Sequence, residues 1–306
     1  MFRYILRRGL ISIITLWLLI TISFFLVRIV PGDPFSSERL LPEIKVNMMT
    51  YYELDQPLYR QYLTYMRHLV LEGDMGNSLR YRARSVNEVI SRNFTVSANL
   101  GLRALLFASF FGVALGIVAA LNHNRGWDRF SIILAVIGIS IPNFIIAAIM
   151  QYIFGVRLKW LPVATYKSFA HTIMPTIALG LTTLAVLARF MRTSMLEVIG
   201  QDYIKTAKAK GLSPVQVTMQ HQIRNALLPI VTILGPATAG LLTGGFVVES
   251  VFAIPGLGRY FVTSIQNLDY PMILGTTIFF GGFLILMNFV VDIVYGLVDP
   301  RIRATK

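Results

Sequence analysis

Six long stretches of this 306-residue chain carry no charge: 9–27 (19 residues), 104–124 (21), 130–156 (27), 168–188 (21), 225–248 (24) and 270–291 (22). The other charge-free stretches are far shorter. A bilayer core about 30 Å thick is crossed by about 20 apolar residues at ~1.5 Å each. The pattern therefore predicts an all-α integral membrane protein with six transmembrane helices, near residues 1–30, 98–122, 130–156, 169–190, 227–250 and 271–296. The first follows Arg3, Arg7 and Arg8, as a signal peptide would. Its apolar run exceeds the ~7–15 residues of a signal h-region and it leaves through Arg28-Ile-Val-Pro-Gly-Asp33 with no small-x-small site, so a retained helix is expected.

Small residues recur at every fourth position of span two: Ala104, Ala108, Gly112, Gly116 and Ala120. That spacing lets two helix backbones approach closely, which drives association in lipid, and marks this helix as the packing centre. Gly240 and Gly244 suggest a similar face on span five. Pro142-Asn143 in span three, Pro175 in span four, and Pro229 and Pro236 in span five each remove a backbone donor, as a hinge or as a tolerated kink.

Residues 31–97 form the one sizeable segment between spans. Asp55-Gln-Pro57 reads as a helix start, with Leu58, Tyr62, Met66 and Leu69 at helical spacing up to Gly73. Ser85-Val-Asn-Glu88 reads as a capping box opening a second short helix. The segment suits a lid packed on the bundle, a docking surface for a soluble protein, or both.

Charge sets the orientation. Fourteen cations lie on the N-terminal side (Arg3, Arg7, Arg8, Arg125, Arg129, Arg189, Arg192, Lys205, Lys208, Lys210, Arg224, Arg301, Arg303 and Lys306), against Arg157, Lys159, Lys167 and Arg259 in the opposite short loops. The positive-inside rule then places both termini in the cytoplasm. The net charge of +13 has the same origin, because residues 31–97 balance eight basic against eight acidic residues. A basic balance so placed points to anionic lipid and topology, not nucleic acid. With no cysteine, the chain has no disulfide, thiolate metal site or cysteine nucleophile.

Catalytic motifs are missing. There is no G-x-x-x-x-G-K-[ST], H-E-x-x-H or G-x-S-x-G, and His68, His123, His171 and His221 are dispersed. No catalytic, cofactor-binding or metal-ligating residue is assigned. An intramembrane hydrolase and an ion-coupled secondary transporter are the rival classes. The second needs ionisable groups at membrane depth, and only Glu249 and Asp292 approach it, at the outer end of span five and the inner end of span six. Asp292 is expected to pair with a cation such as Arg189 or to face headgroups.

One polar insert separates spans four and five: DYIKTAKAKGLSPVQVTMQHQIRNALLP, Asp202 to Pro229. The helix of span four is expected to run through Ser194-Met-Leu-Glu197 and past Asp202 until Gly211, placed as a left-handed residue beyond a helix end. Ser213-Pro-Val-Gln216 restarts a helix with a serine cap, proline in the first position and glutamine reaching back. Tyr203, Ala207 and Lys210 are expected on one face of the first arm.

Lys205-Thr-Ala207-Lys-Ala-Lys-Gly211, closed by Ala226-Leu-Leu-Pro229, resembles the EAA loop of binding-protein-dependent ABC import permeases. Lys205 stands where the generic motif has glutamate, Thr206 replaces its first alanine, and the glycine-to-proline spacing is longer; all three resemble the peptide-type branch. Val30-Pro-Gly-Asp-Pro34, Asp128, Glu249-Ser-Val-Phe-Ala-Ile-Pro-Gly-Leu-Gly258 and Asp269-Tyr-Pro271 extend the resemblance, which runs to Val298-Asp-Pro-Arg301. Leu41-Pro-Glu43 and Ser85-Val-Asn-Glu-Val89 are most similar to the B-type subunit of oligopeptide permeases.

The resemblance implies a first helix followed by a five-helix importer core over residues 95–297 (MetI-like), in a bacterial inner membrane. It implies as partners a homologous permease subunit, two cytoplasmic ATPases carrying ATP and Mg, an extracytoplasmic binding protein, and a peptide substrate. Dipeptides, glutathione or chelated nickel suit the branch equally. The elbow over 195–228 would be the coupling element, with Asp202, Tyr203, Lys205, Thr206, Ala207, Lys208, Ala209, Lys210, Gly211, Leu212 and Ser213 as its contact residues. Ala207 matches the motif's second alanine and Gly211 its glycine. Asn143, Pro236, Thr238 and Gly240 are the candidate pathway-lining residues.

Overall fold

The charge-free stretches fold as helices, and polar residues at their ends fix where several of them begin. The computed structural model describes residues 2–29, 56–81 and 84–298, together with 46, 49 and 50. Val30–Pro34, Leu41–Glu43, Asp55, Arg82, Arg301, Arg303 and Lys306 lie outside the described residues. The helices are α1 (Phe2–Ile29), α2 (Leu58–Arg67), α3 (Val86–Leu121), α4 (Gly126–Ser140), α5 (Asn143–Met150), α6 (Ala170–Ile199), α7 (Asp202–Ala209), α8 (Pro214–Gln216), α9 (Leu228–Leu242), α10 (Phe246–Val251), α11 (Leu257–Gln266) and α12 (Tyr270–Val298). Three π-helical segments extend this set: His68–Glu72 after α2, Gln151–Arg157 after α5, and Val217–Ile223 after α8.

Five helical stretches are long and apolar enough to cross a membrane: Arg3–Ile29, Val86–Leu121, Ala170–Ile199, Leu228–Val251 and Tyr270–Ile293. The sixth charge-free stretch is not one straight helix. It folds as Gly126–Ser140 and Asn143–Arg157, bent by 105° at the break. Pro142 breaks the backbone ladder here, and α6 captures the exposed end. The Thr182 hydroxyl donates to Asn143 Oδ1 at 2.6 Å and stands 2.9 Å from the Gly138 carbonyl oxygen.

Ser85, by one half of the box, caps a helix far longer than the short one expected. The Glu88 N–H donates to Ser85 Oγ at 3.1 Å, and the helix then runs unbroken for 36 residues into span two. Arg92 reaches back to Glu88 at 2.9 Å, so local pairing carries the polar first turns before the apolar run takes over.

All five small residues of α3 are buried, and they face α6. A methyl group added at Gly112 would lie 2.8 Å from the Leu184 carbonyl oxygen, and one at Gly116 would lie 2.6 Å from that of Ala188. Gly180 of α6 reciprocates, with its own Cβ position 2.8 Å from the Ala104 carbonyl. In span five, Gly244 abuts Ser97 of α3 and Gly235 abuts Val291 of α12, whereas Gly240 faces open space.

α1 and α12 are antiparallel neighbours. Tyr4 donates to the Asp292 carbonyl oxygen at 3.1 Å, and Arg8 pairs with the Asp292 carboxylate at 3.0 Å. Arg8 is therefore the partner of Asp292, in place of the expected Arg189: the fold brings the chain's first turns against its last. Both ends of the described chain thus lie at the end of the bundle that holds residues 122–128 and the insert between spans four and five, called here the elbow end.

At the opposite end, α2 rests on α1 and α12. Tyr62, Tyr65, Met66 and Leu69 pack with Phe24, Val27, Leu274 and Ile278, while Leu58 stays exposed. The guanidinium of Arg28 sits 3.4 Å from the Phe24 ring centroid and donates to Gln61 at 3.1 Å. Burial pushes the Tyr65 hydroxyl above the usual phenol range. Gly73 ends the segment with φ +65°.

Candidate functional site

The elbow is two short arms folded on a core of three side chains. Gly200 and Gln201 stop α6 before the insert, with Gln201 extended at φ −75° and ψ 149°. The expected helix past Asp202 is therefore two helices, since glycine is a poor helix former and Gln201 leaves helical geometry. In α7, Lys205 pairs with Asp202 at 2.8 Å on the exposed side. The arm ends at Gly211, whose φ of +81° is a left-handed conformation that a Cβ would oppose. The N–H groups of Lys210, Gly211 and Leu212 turn back onto the carbonyls of Thr206, Lys208 and Ala207.

The second arm opens with a complete capping box. The Gln216 N–H donates to Ser213 Oγ at 3.3 Å and the Ser213 N–H donates to Gln216 Oε1 at 3.0 Å, with Pro214 in the first position. Helical turns continue through Ala226, and after Leu227 α9 starts at Leu228.

Between the arms Ile204, Ala207 and Val217 are buried together, with Val198 and Leu212 partly buried against them. Ala207 thus faces the elbow's own core, not the outside. The expected common face of Tyr203, Ala207 and Lys210 is split: the buried stripe is Ile204 and Ala207 at i, i+3, while Tyr203 and Lys210 are exposed. Lys205, Thr206, Lys208, Ala209, Gly211 and Ser213 are exposed too, as is Asp202, and Leu212 is half-buried. Val215 and Met219 complete the outer surface at 70% and 63% exposure. Sequence reasoning missed these two, although their four-residue spacing in a polar arm is a readable apolar ridge.

Just before the elbow, α6 is clamped to the turn between spans two and three. The Asp128 carboxylate is buried and receives Arg192 Nε at 2.5 Å and Nη2 at 2.9 Å, with the Asn124 N–H at 2.8 Å and His123 Nδ1 at 3.2 Å. A fork of this kind fixes orientation as well as distance. Asn124 adopts φ +63°, which brings its N–H onto the carboxylate.

Two further buried carboxylates hold the opposite end. Glu249 accepts from Ser97 Oγ at 2.7 Å, and the Leu257 N–H donates to the same serine at 2.8 Å. Gly244, Gly256 and Gly258 surround this carboxylate so closely that a Cβ on any of them would meet it. Asp269, just before α12, accepts from the Ser78 hydroxyl and from the Leu79 N–H at 3.1 Å, and Arg80 donates to the Asn267 carbonyl at 2.9 Å. The 249–258 stretch is thereby tied to α3, and the 76–81 loop to the start of α12.

Asn143 is bound to Thr182, Thr238 bonds to its own helix at Leu234, and Pro236 and Gly240 lie on the exposed side of α9. Among the described residues, no group of three or more His, Asp or Glu side chains is placed to hold a metal ion.

An apolar bundle of five full spans and one broken span, with a capped polar elbow at one end, defines a multi-pass inner-membrane transport component. The chain belongs to the binding-protein-dependent transport system inner membrane component family: that family's profile matches residues 112–304, and the profile of its N-terminal region matches residues 1–103. It is 46% identical over 307 aligned positions to the dipeptide transport system permease protein DppB of Bacillus subtilis, covering 100% of this chain and 99% of that one. Against the oligopeptide transport system permease protein OppB of Haemophilus influenzae and of Escherichia coli, identity is 44% and 42%, each over 99% of this chain and 100% of the relative.

Proposed function

We propose that this chain is one permease subunit of an ATP-driven peptide importer, and that its elbow is the surface on which a cytoplasmic ATPase acts. The observation that carries this reading is the elbow itself: a shape fixed by caps and a left-handed glycine, presenting Tyr203, Val215, Met219 and three lysines outward. A solvated basic loop needs neither the buried Ala207 nor the capping box. In this reading the elbow end and both termini are cytoplasmic, as the positive-inside count requires. A homologous permease subunit forms the other half of the pathway. Two ATP-binding subunits hold ATP and Mg, and a soluble binding protein delivers peptide at the opposite end. Closure of the ATPases drives the elbows together and rocks the spans between inward-open and outward-open states.

Oligopeptides are the proposed substrate. Dipeptides are the second reading, favoured by the Bacillus subtilis relative. The ligand found in the binding protein that co-purifies with this subunit decides between them.

Coupling is tested by Val215→Asp, which changes only the exposed ridge, and by Gly211→Val, which puts a branched side chain at φ +81° and strains the turn by about 1–3 kcal/mol. Both are expected to abolish peptide uptake while the protein still reaches the membrane. Wild-type uptake by the two variants would refute the assignment. For orientation, a reporter at Lys208 should read cytoplasmic and one at Arg84 extracytoplasmic; the reverse pattern overturns it.

A further inference from the structure

A cavity of about 590 Å³ opens between α4 and α6 at the elbow end. Its α4 wall is Ser131, Ile132, Ala135, Val136, Ile139 and Ser140, with Ile132, Val136 and Ile139 at 45%, 57% and 45% exposure, and its α6 wall carries Arg189, Arg192 and Thr193. The two walls are graded in the same direction. Arg189, Arg192 and Thr193 lie in the last turns of α6, towards the elbow, while Ile139 and Ser140 lie deeper, near the contact of Gly138 with Ala185. From Ser131 to Ser140 the cavity follows nine residue steps of helix, about 13 Å at ~1.5 Å each. That is close to the ~15 Å depth of one leaflet's hydrocarbon.

The charge in this cleft is not balanced. Arg192 is committed to Asp128 through both its Nε and Nη2. Arg189 lines the same cavity, and among the described residues its side chain forms no ion pair or hydrogen bond. Arg129 continues the stripe of Ile132, Val136 and Ile139 on α4 at helical spacing. The Asp128 carboxylate is taken by Arg192, which leaves the charge of Arg189 unbalanced at the mouth of an apolar wall.

We propose that this cleft is a binding site for one anionic phospholipid, its phosphate on Arg189 with Arg129 and Thr193 beside it, and an acyl chain along Ile132, Val136 and Ile139. Basic pockets between spans on the side bearing most cations meet the leaflet whose surface is negative. A peptide would need donors and acceptors along its length, and the deep part of the α4 wall offers little besides Ser140. A lipid needs one cationic end and a greasy slot. The site adjoins the Asp128–Arg192 clamp, so an occupant would brace spans three and four where they approach the elbow.

The test uses the full chain in native membranes with its partners present. Val136 is replaced by a photoreactive benzoyl-phenylalanine, the membranes are irradiated, and the adduct is identified by mass. A phospholipid adduct is expected. An adduct to a second permease subunit or to peptide, or none, overturns the proposal. In parallel, the purified complex is placed in nanodiscs of phosphatidylcholine with or without phosphatidylglycerol, and retained lipid is counted by native mass spectrometry. Arg189→Gln should lower phosphatidylglycerol retention about tenfold, the ~1.4 kcal/mol of one charge-assisted contact. Arg189→Lys should restore most of it, and Arg259→Gln, at the opposite end, should change nothing. Equal retention by wild type and Arg189→Gln, or equal retention of phosphatidylcholine, overturns the proposal.

Discussion

Replacing Gly116 tests the packing of the bundle at the tightest backbone contact between α3 and α6. A methyl group there would lie 2.6 Å from the Ala188 carbonyl oxygen, 2.6 Å from Met191 Cβ and 3.1 Å from the Arg192 N–H nitrogen. The first two are about 1 Å inside a relaxed carbon contact of ~3.5 Å. Neither partner is the free end of a flexible side chain, so α6 itself must retreat, and overpacking of this kind costs about 1–3 kcal/mol. Against this, alanine gains about 1 kcal/mol over glycine in a helix interior. Gly116→Ala should therefore lose about 0–2 kcal/mol, and Gly116→Leu about 3 kcal/mol or more, since a longer side chain has nowhere to turn. Gly112→Ala should cost less, its nearest contacts being 2.8 Å and 3.0 Å. Gly240→Ala is the control: nothing lies within 4 Å of that position, so only the helix gain should appear. The assay is thermal unfolding of the purified chain in one detergent, with the amount of membrane-assembled protein alongside. Equal melting temperatures for Gly116→Leu and Gly240→Leu would refute the argument that this seam holds the bundle.

Asp128→Ala leaves the Arg192 guanidinium without its fork, and the loss should be about 3 kcal/mol, the lower end for a broken buried pair because Arg192 retains some solvent contact; an unchanged melting temperature would show the clamp to be inert. Glu249→Ala and Gly256→Ala should each destabilise by about 2–4 kcal/mol, one by leaving a cavity and the other by forcing a methyl against the carboxylate. Combined, they should be less harmful than their sum, because the added methyl occupies the vacated space; strict additivity would mean the two do not meet. Ser78→Ala removes the hydroxyl bond to Asp269, and limited proteolysis should then cut residues 76–81 faster while the spans remain intact; unchanged cleavage would mean that the backbone N–H contacts to Asp269 suffice.

Local chemistry made several features readable from residues alone. Charge-free length located the spans because lipid tolerates few unpaired charges. Ser213, Pro214, Gln216 and Gly211 announced the elbow because caps and positive φ depend on residues close in sequence. The stripe from Ala104 to Ala120 is legible for the same reason, as one face of one helix. What escaped depends on groups distant in sequence. Whether Pro142 kinks or breaks span three is decided by Thr182, 40 residues later, which takes up Asn143. Asp292 finds Arg8 only because the first and last helices are neighbours. Glu249 stood out as a charge near the membrane, but its tie to Ser97 lies 152 positions away. The resemblance makes Ala207, as the motif's second alanine, a contact residue of the elbow. In the fold it is buried with Ile204 and Val217, contacts that its own sequence neighbours do not announce.

The contact of α3 with α6 divides the molecule mechanically. With backbones touching at Gly112, Gly116 and Gly180, and Asp128 locking the elbow end, spans two and four form one stiff beam. Within or next to spans three, four and five, the helices stop at Ser140 to Asn143, Gly200-Gln201, and Thr243 to Gly245. A push on the elbow cannot be absorbed between spans two and four. On the proposed coupling, such a push would carry both spans together towards the far end, where Gly244 and Gly245 interrupt span five beside Glu249.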